Sequence, residues 1–159
     1  MSETMIVLEV LGTPAPKGSS RAFINKRTGR AILAPSGSAA NKGRLRSWDA
    51  LVREEAQRLA PATAPMFVDK PLAVSITFRL ARPSGHWGKG KRAGQLVPSA
   101  PTAPRTKPDA DKLARATLDA LHGTIFDDDS RIVELLVRKR YAAPGEEGAR
   151  IAVEEWRPA

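Results

Sequence analysis

The sequence predicts an α+β fold: a small mixed sheet of about four strands with two packed helices, in the order strand, helix, strand, helix, strand, strand. Three observations carry this prediction. Between 72 and 79 the chain alternates, with Leu72, Val74, Ile76 and Phe78 set against Ala73, Ser75, Thr77 and Arg79. That is the period-two pattern of a strand with one buried face. Trp48, Leu51, Val52, Ala56 and Leu59 recur at three- and four-residue spacing, which makes one apolar stripe along a helix. With 159 residues and 42% hydrophobic content, the chain can bury one core and no second one of similar size, so 1–159 reads as a single domain.

Residues 5–11 open with β-branched Ile6 and Val7 and read as the first strand. Pro14 and Pro16 then break both helix and ladder. A short hairpin is expected over 21–33, with Phe23 and Ile24 facing Ala31 and Ile32 across a turn at 27–29. The first helix is expected from 41 or 42 to 59, where the prolines of 61–65 stop it. The alternating strand follows over 71–80. Residues 81–108 carry prolines, glycines and cations without periodicity and read as a basic flexible loop. In that loop Trp87 either stacks on a nucleic-acid base or pins the loop to the core.

The second helix is expected from 111 or 112 to 121. Leu113, Thr117, Ala120 and Leu121 form its inner face, Asp111, Arg115 and Asp119 its outer one, and Gly123 its stop. Residues 132–141 and 149–156 read as two strands. The Gly145-to-Gly148 loop between them predicts that they pair as a hairpin.

Charge narrows the function. The formal net charge is +9 and the pI about 10.5, values that suit a polyanionic partner. No acid occurs between Glu9 and Asp49 or between Asp69 and Asp109, whereas cations are frequent in both stretches. Phosphate contact favours cations free of competing carboxylates, because each neutralised phosphate releases counterions. Without cysteine there is no disulfide framework, thiolate metal site or thiol nucleophile. No apolar run approaches the ~20 residues of a spanning helix, and an intracellular, cytoplasmic location is expected. His86 and His122 stand too far apart in sequence to suggest a zinc pair.

Six of the eight aspartates lie between positions 109 and 129. An acidic spot on a basic body suits a divalent cation. Magnesium and manganese prefer oxygen ligands, commonly carboxylates completed by water and substrate phosphate. Asp109 and Asp111 stand just before a helix, and the turn at 127–129 returns a third carboxylate after it. An ion held there would polarise a phosphodiester and activate water. Arg115 or Lys112 would stabilise the developing charge. The same residues also suit plain structural roles: an N-cap at Asp109 or Asp111, a polar turn at 127–129, and a salt-bridged solvated face over Asp111, Arg115 and Asp119.

The central stretch resembles the signature of the RusA-type Holliday junction resolvases. The residues that carry the likeness are Pro108-Asp109-Ala110-Asp111-Lys112-Leu113, then Leu118-Asp119-Ala120-Leu121, then Asp128-Asp129-Ser130-Arg131-Ile132. Pro16-Lys17-Gly18 and the strand end from Phe78 to Pro83 extend it over most of the chain. The resemblance implies a homodimer that binds four-way DNA junctions and makes paired nicks with Mg2+, or with Mn2+ in its place. It implies metal-binding roles for Asp109, Asp111 and Asp129, with Asp128 adjacent. Arg115 stands where the family usually carries a lysine. Arginine keeps the charge and grips phosphate with two hydrogen bonds, yet holds its proton near neutrality. Lys112 replaces an asparagine and Arg131 a glutamine. The cations expected to contact DNA are Lys17, Arg21, Arg82, Lys89, Lys91, Arg105, Lys107 and Lys112. The competing expectation is a protein that binds branched DNA through its basic loops and cuts nothing.

Overall fold

In the computed structural model, which describes residues 4–18, 20–35 and 38–159, the central strand of the pattern above is also central in space. The strands are β1 (Met5–Leu11), β2 (Ser20–Ile24), β3 (Ala31–Pro35), β4 (Leu72–Leu80), β5 (Ile132–Tyr141) and β6 (Gly148–Glu155), and the helices are α1 (Ala39–Leu59) and α2 (Ala110–Leu121). The main sheet is mixed, with strand order β1-β6-β4-β5. β2 and β3 form a separate antiparallel ribbon in the expected register, Phe23 opposite Ile32 and Ile24 opposite Ala31. The α+β class and element order agree with the sequence reading, this extra ribbon included.

β4 alternates without interruption: Leu72, Val74, Ile76, Phe78 and Leu80 are buried. They meet Ala149, Ile151 and Val153 of β6 and Leu8 and Val10 of β1 on the same face. The helices cover that face, α1 against β1 and α2 against β5. Each large apolar side chain buried this way contributes about 1.5–3 kcal/mol relative to exposure. Ser38 caps α1, its side chain accepting from the Asn41 N–H at 3.3 Å.

The two helices are tied by a buried polar pair. Trp48 Nε1 donates to Thr117 Oγ1 at 3.1 Å, and that hydroxyl donates to the Leu113 carbonyl at 3.0 Å. Thr117 is the buried polar side chain among the described residues, and this pair satisfies it. Thr117→Val removes the acceptor and strands the indole N–H in the core, at a cost of about 1–3 kcal/mol. Urea unfolding checks this: the midpoint falls with an unchanged slope. An unmoved midpoint would show that the pair does not tie the helices.

The expected hairpin of the last two strands is not formed. β5 pairs in parallel with β4, and β6 lies between β4 and β1, antiparallel to both. The reason is directional. α2 carries the chain back along the sheet, so β5 leaves parallel to β4 and takes one of its edges. β6 runs the other way and takes the opposite edge, where Ala149, Ile151 and Val153 are wholly buried. β5 is left as an open edge, and the run Arg138, Lys139, Arg140 is the charged signature of one.

The stretch 81–108 holds more local order than its composition suggests. It contains two 3₁₀ turns, Ser84–His86 and Gly90–Arg92, and a bridge between Trp87 and Leu96. Its start is fixed to Tyr141 of β5. The Arg82 guanidinium lies 4.1 Å over the Tyr141 ring, and His86 meets the ring edge-on at 5.5 Å. His86 therefore packs against the end of the sheet instead of lying in a loose loop.

Candidate active site

α2 starts abruptly because Asp109 is extended, with φ −72° and ψ 139°, while its carbonyl already accepts from the Leu113 N–H at 3.1 Å. The Asp109 carboxylate makes no capping bond to the helix. It lies 3.6 Å from Lys112 Nζ instead. The capping role open to Asp109 from sequence is thus filled by its backbone alone, and its carboxylate remains available. Asp111 occupies the first turn and is exposed. A carboxylate there is favoured by the helix dipole by about 0.3–1 kcal/mol.

Between α2 and the half-covered edge strand β5 runs an open groove of 440 Å³. Asp111, Arg115 and Asp119 line it from the helix, Asp129 from the turn before β5, and Leu135 and Val137 from its floor. The three α2 residues are four apart, so they share one face. Arg115 is exposed and has no carboxylate within ion-pair distance among the described residues. Asp119 is differently placed. Lys17, at the end of the Pro14-to-Lys17 segment, pairs with its carboxylate, and the Lys17 N–H donates to the Lys112 carbonyl at 3.0 Å. Arg53 of α1 donates to the Asp119 carbonyl at 3.3 Å. Lys17 therefore pins the N-terminal segment across α2, a contact that its position 102 residues away in sequence conceals.

The turn after α2 divides its three aspartates. Phe126 is fully buried and directs Asp127 inward. Asp127 Oδ2 accepts from the Asp69 N–H at 3.2 Å and pairs with Arg131 at 3.3 Å. Partial burial pushes its carboxyl up, but the Arg131 bond and the Asp69 N–H outweigh this and hold it below the usual range. Asp128 caps the 3₁₀ turn Asp129–Arg131, accepting from the Ser130 N–H at 2.8 Å, which holds its carboxyl low as well. Both folded-state values are depressed. Their stabilisation is therefore present above the unfolded carboxylate pKa and is lost as pH falls through the folded values. Asp129 alone of the three faces the groove. Arg131 also pairs with Asp69 at 3.2 Å, so it serves the turn.

Asp111 and Asp119 stand eight residues apart, about 12 Å along a helix axis, so the acids are strung along the groove. Among the described residues no three acidic or histidine side chains converge on one point. Hard oxygen donors suit magnesium or manganese, and magnesium is commonly held by one or two carboxylates plus water and substrate phosphate. Asp111 and Asp129 are the groove carboxylates without an ion-pair partner among the described residues.

The cations around the groove also divide. Lys89, Lys91, Arg105 and Lys107 are exposed in or beside the ordered loop. Arg82 is engaged with Tyr141 and with the Pro101 carbonyl at 2.8 Å, Lys17 with Asp119, and Lys112 with Asp109. The Arg21 side chain lies outside the described residues. No helix among the described residues is long and apolar enough to cross a membrane.

The family model for endodeoxyribonuclease RusA matches residues 14–154, which takes in the Lys17 segment, both helices, the groove and β4 to β6. A protein of Bacillus subtilis (strain 168), the uncharacterized protein YqaN, is 26% identical over 141 residues, covering 86% of this chain and 88% of that protein.

Proposed function

The chain belongs to the endodeoxyribonuclease RusA family, and from that membership together with the groove we propose that it is a divalent-metal-dependent nuclease that resolves four-way DNA junctions in recombination and repair. The observation that carries this reading is the groove itself: two carboxylates without an ion-pair partner among the described residues, Asp111 and Asp129, and an uncommitted guanidinium, Arg115, on one open channel of a basic protein.

In this reading Asp111 and Asp129 would hold a magnesium or manganese ion, and Asp109 and Asp128 would complete the acidic patch from neighbouring positions. When bound, the ion supplies Lewis-acid polarisation of the scissile phosphate and an activated water. The chain's own residues do the rest. The exposed Lys89, Lys91, Arg105 and Lys107 draw the DNA backbone toward a groove that would otherwise repel it. Arg115 grips the phosphate and stabilises the charge that builds on its oxygens as water attacks phosphorus. The apolar floor of Leu135 and Val137 lowers the local dielectric and strengthens that contact. As the phosphorus–oxygen bond to the leaving group breaks, the leaving oxygen takes its proton from water, because a guanidinium does not release one near neutrality. Two copies of the chain related by a twofold axis would present two grooves to the two symmetric strands of one junction.

Arg115→Ala tests the role given to the guanidinium. Single-turnover cleavage of a junction should slow by about 100- to 1,000-fold, the cost of removing one preorganised charge-stabilising group. The thermal midpoint should stay put, since Arg115 is exposed. A variant that cuts at the wild-type rate would remove Arg115 from the mechanism.

A further inference from the structure

Lys139 is not among the cations that the sequence brings forward, and its side chain does something none of the others does. It lies on the inner face of β5, opposite Phe78 of β4, in the same row as Leu135, Val137 and Tyr141. Its ammonium meets no carboxylate within ion-pair distance among the described residues. It donates to two backbone carbonyls, Thr106 at 2.8 Å and Pro108 at 2.9 Å. These carbonyls flank Lys107 and immediately precede Asp109.

A lysine ammonium is a strongly hydrated charge with three donors, and it gives up water only where other acceptors replace it. Charge-assisted bonds to carbonyls are stronger than neutral ones. Two such bonds from a sheet residue therefore fix the segment 106–108 at its exit. Arg82 and His86 fix the beginning of the longer 81–108 stretch to Tyr141, two residues further along the strand. The end of β5 thus anchors the basic stretch at both ends. Its last anchor stands one residue before the carboxylates of α2.

We propose that Lys139 is a positioning residue: by clamping the Thr106 and Pro108 carbonyls it locks the carboxylate-bearing start of α2 to the sheet and joins it to the DNA-facing segment before it. The metal-related part of this inference rests on the function proposed above, whereas the clamp itself does not.

Lys139→Met keeps the aliphatic stem and removes the donors, and Lys139→Arg restores donors to the same place. Hydrogen exchange of the full-length protein reads the clamp directly. In Lys139→Met the amides over 106–113, including the Leu113 N–H bonded to Asp109, should exchange about tenfold faster while β4 and β6 keep their protection. Lys139→Arg should recover most of it. A Mn2+ titration of the same samples should move its midpoint up by roughly several-fold in Lys139→Met, less than the about 10- to 100-fold of a group bonded directly to a metal ligand. Unchanged exchange over 106–113 would overturn the clamp. Exchange rising equally across the sheet would overturn it too, as the mark of a general packing role. Faster local exchange with an unmoved Mn2+ midpoint would overturn the positioning of the carboxylates. If the wild-type protein takes up no Mn2+ at all, the metal site proposed above fails, and the exchange result still decides the clamp.

Discussion

Asp111→Asn should abolish strand cleavage while the fold and DNA binding survive. The substitution keeps the size and shape of the side chain and removes its charge. The residue is exposed in the first turn of α2, so no core contact is lost. The stability cost is confined to the helix-dipole contribution of a first-turn carboxylate, about 0.3–1 kcal/mol. The functional cost is far larger, because only two of the groove's three carboxylates, Asp111 and Asp129, lack an ion-pair partner among the described residues, and one of them becomes neutral. Loss of an outer-shell partner already costs about 10- to 100-fold in metal affinity or activity, and loss of a ligand should exceed that. Junction binding should hold or tighten, since one negative charge leaves the path of the phosphates. Gel-shift titration beside single-turnover cleavage separates the two effects. Retained cleavage would show that the ion, if any, is not held at Asp111.

Phe126→Ala has the largest expected effect on stability, about 3–5 kcal/mol. Phe126 is completely buried and sits next to the aspartate turn. The Gly123 N–H donates to its carbonyl at 2.8 Å, which closes the loop after α2. Gly123 makes that turn with φ +82°, a conformation glycine adopts without the penalty other residues meet. The bridge from Phe126 to Phe67 holds the 127–129 turn against the segment before β4. Removing the ring leaves a cavity under Asp127, whose Asp69 and Arg131 partners set the turn. Against the roughly 5–15 kcal/mol that stabilises a domain, such a loss leaves a marginal protein. Urea unfolding at 25 °C gives the number, and a shift under about 1 kcal/mol would mean that the site collapses around the missing ring.

What the sequence shows here follows the range of the forces involved. β4, α1 and α2 are read correctly because their periodicities report which face meets the core, a local property. The start of α2, expected at 111 or 112 and found at Ala110 behind Asp109, and its end before Gly123 are also local signals. The pairing of β5 is not local. Its direction depends on where α2 sets it down, and hairpin reasoning from the short 142–147 loop misses that. The site divides in the same way. The run of aspartates is visible in the sequence, and so is the shared face of Asp111 and Arg115. That Asp127 turns inward to Arg131 while Asp129 faces the groove depends on Phe126 being buried beside them, which no spacing reveals. The contacts of Lys17 and Lys139 are hidden from the sequence for one reason. Each acts on α2 or its approach from a distant part of the chain, Lys17 through Asp119 and Lys139 through carbonyls that carry no side-chain signal.

Metal-dependent cutting of branched DNA is decided by a single cleavage assay. A synthetic four-way junction and a linear duplex of matched sequence are incubated with the protein, with magnesium and with chelator. Paired, symmetric nicks are expected in the junction alone, present with magnesium and absent with chelator. Tight junction binding with no nicks in magnesium or manganese would contradict that expectation, and would make the groove a binding surface that has lost its chemistry.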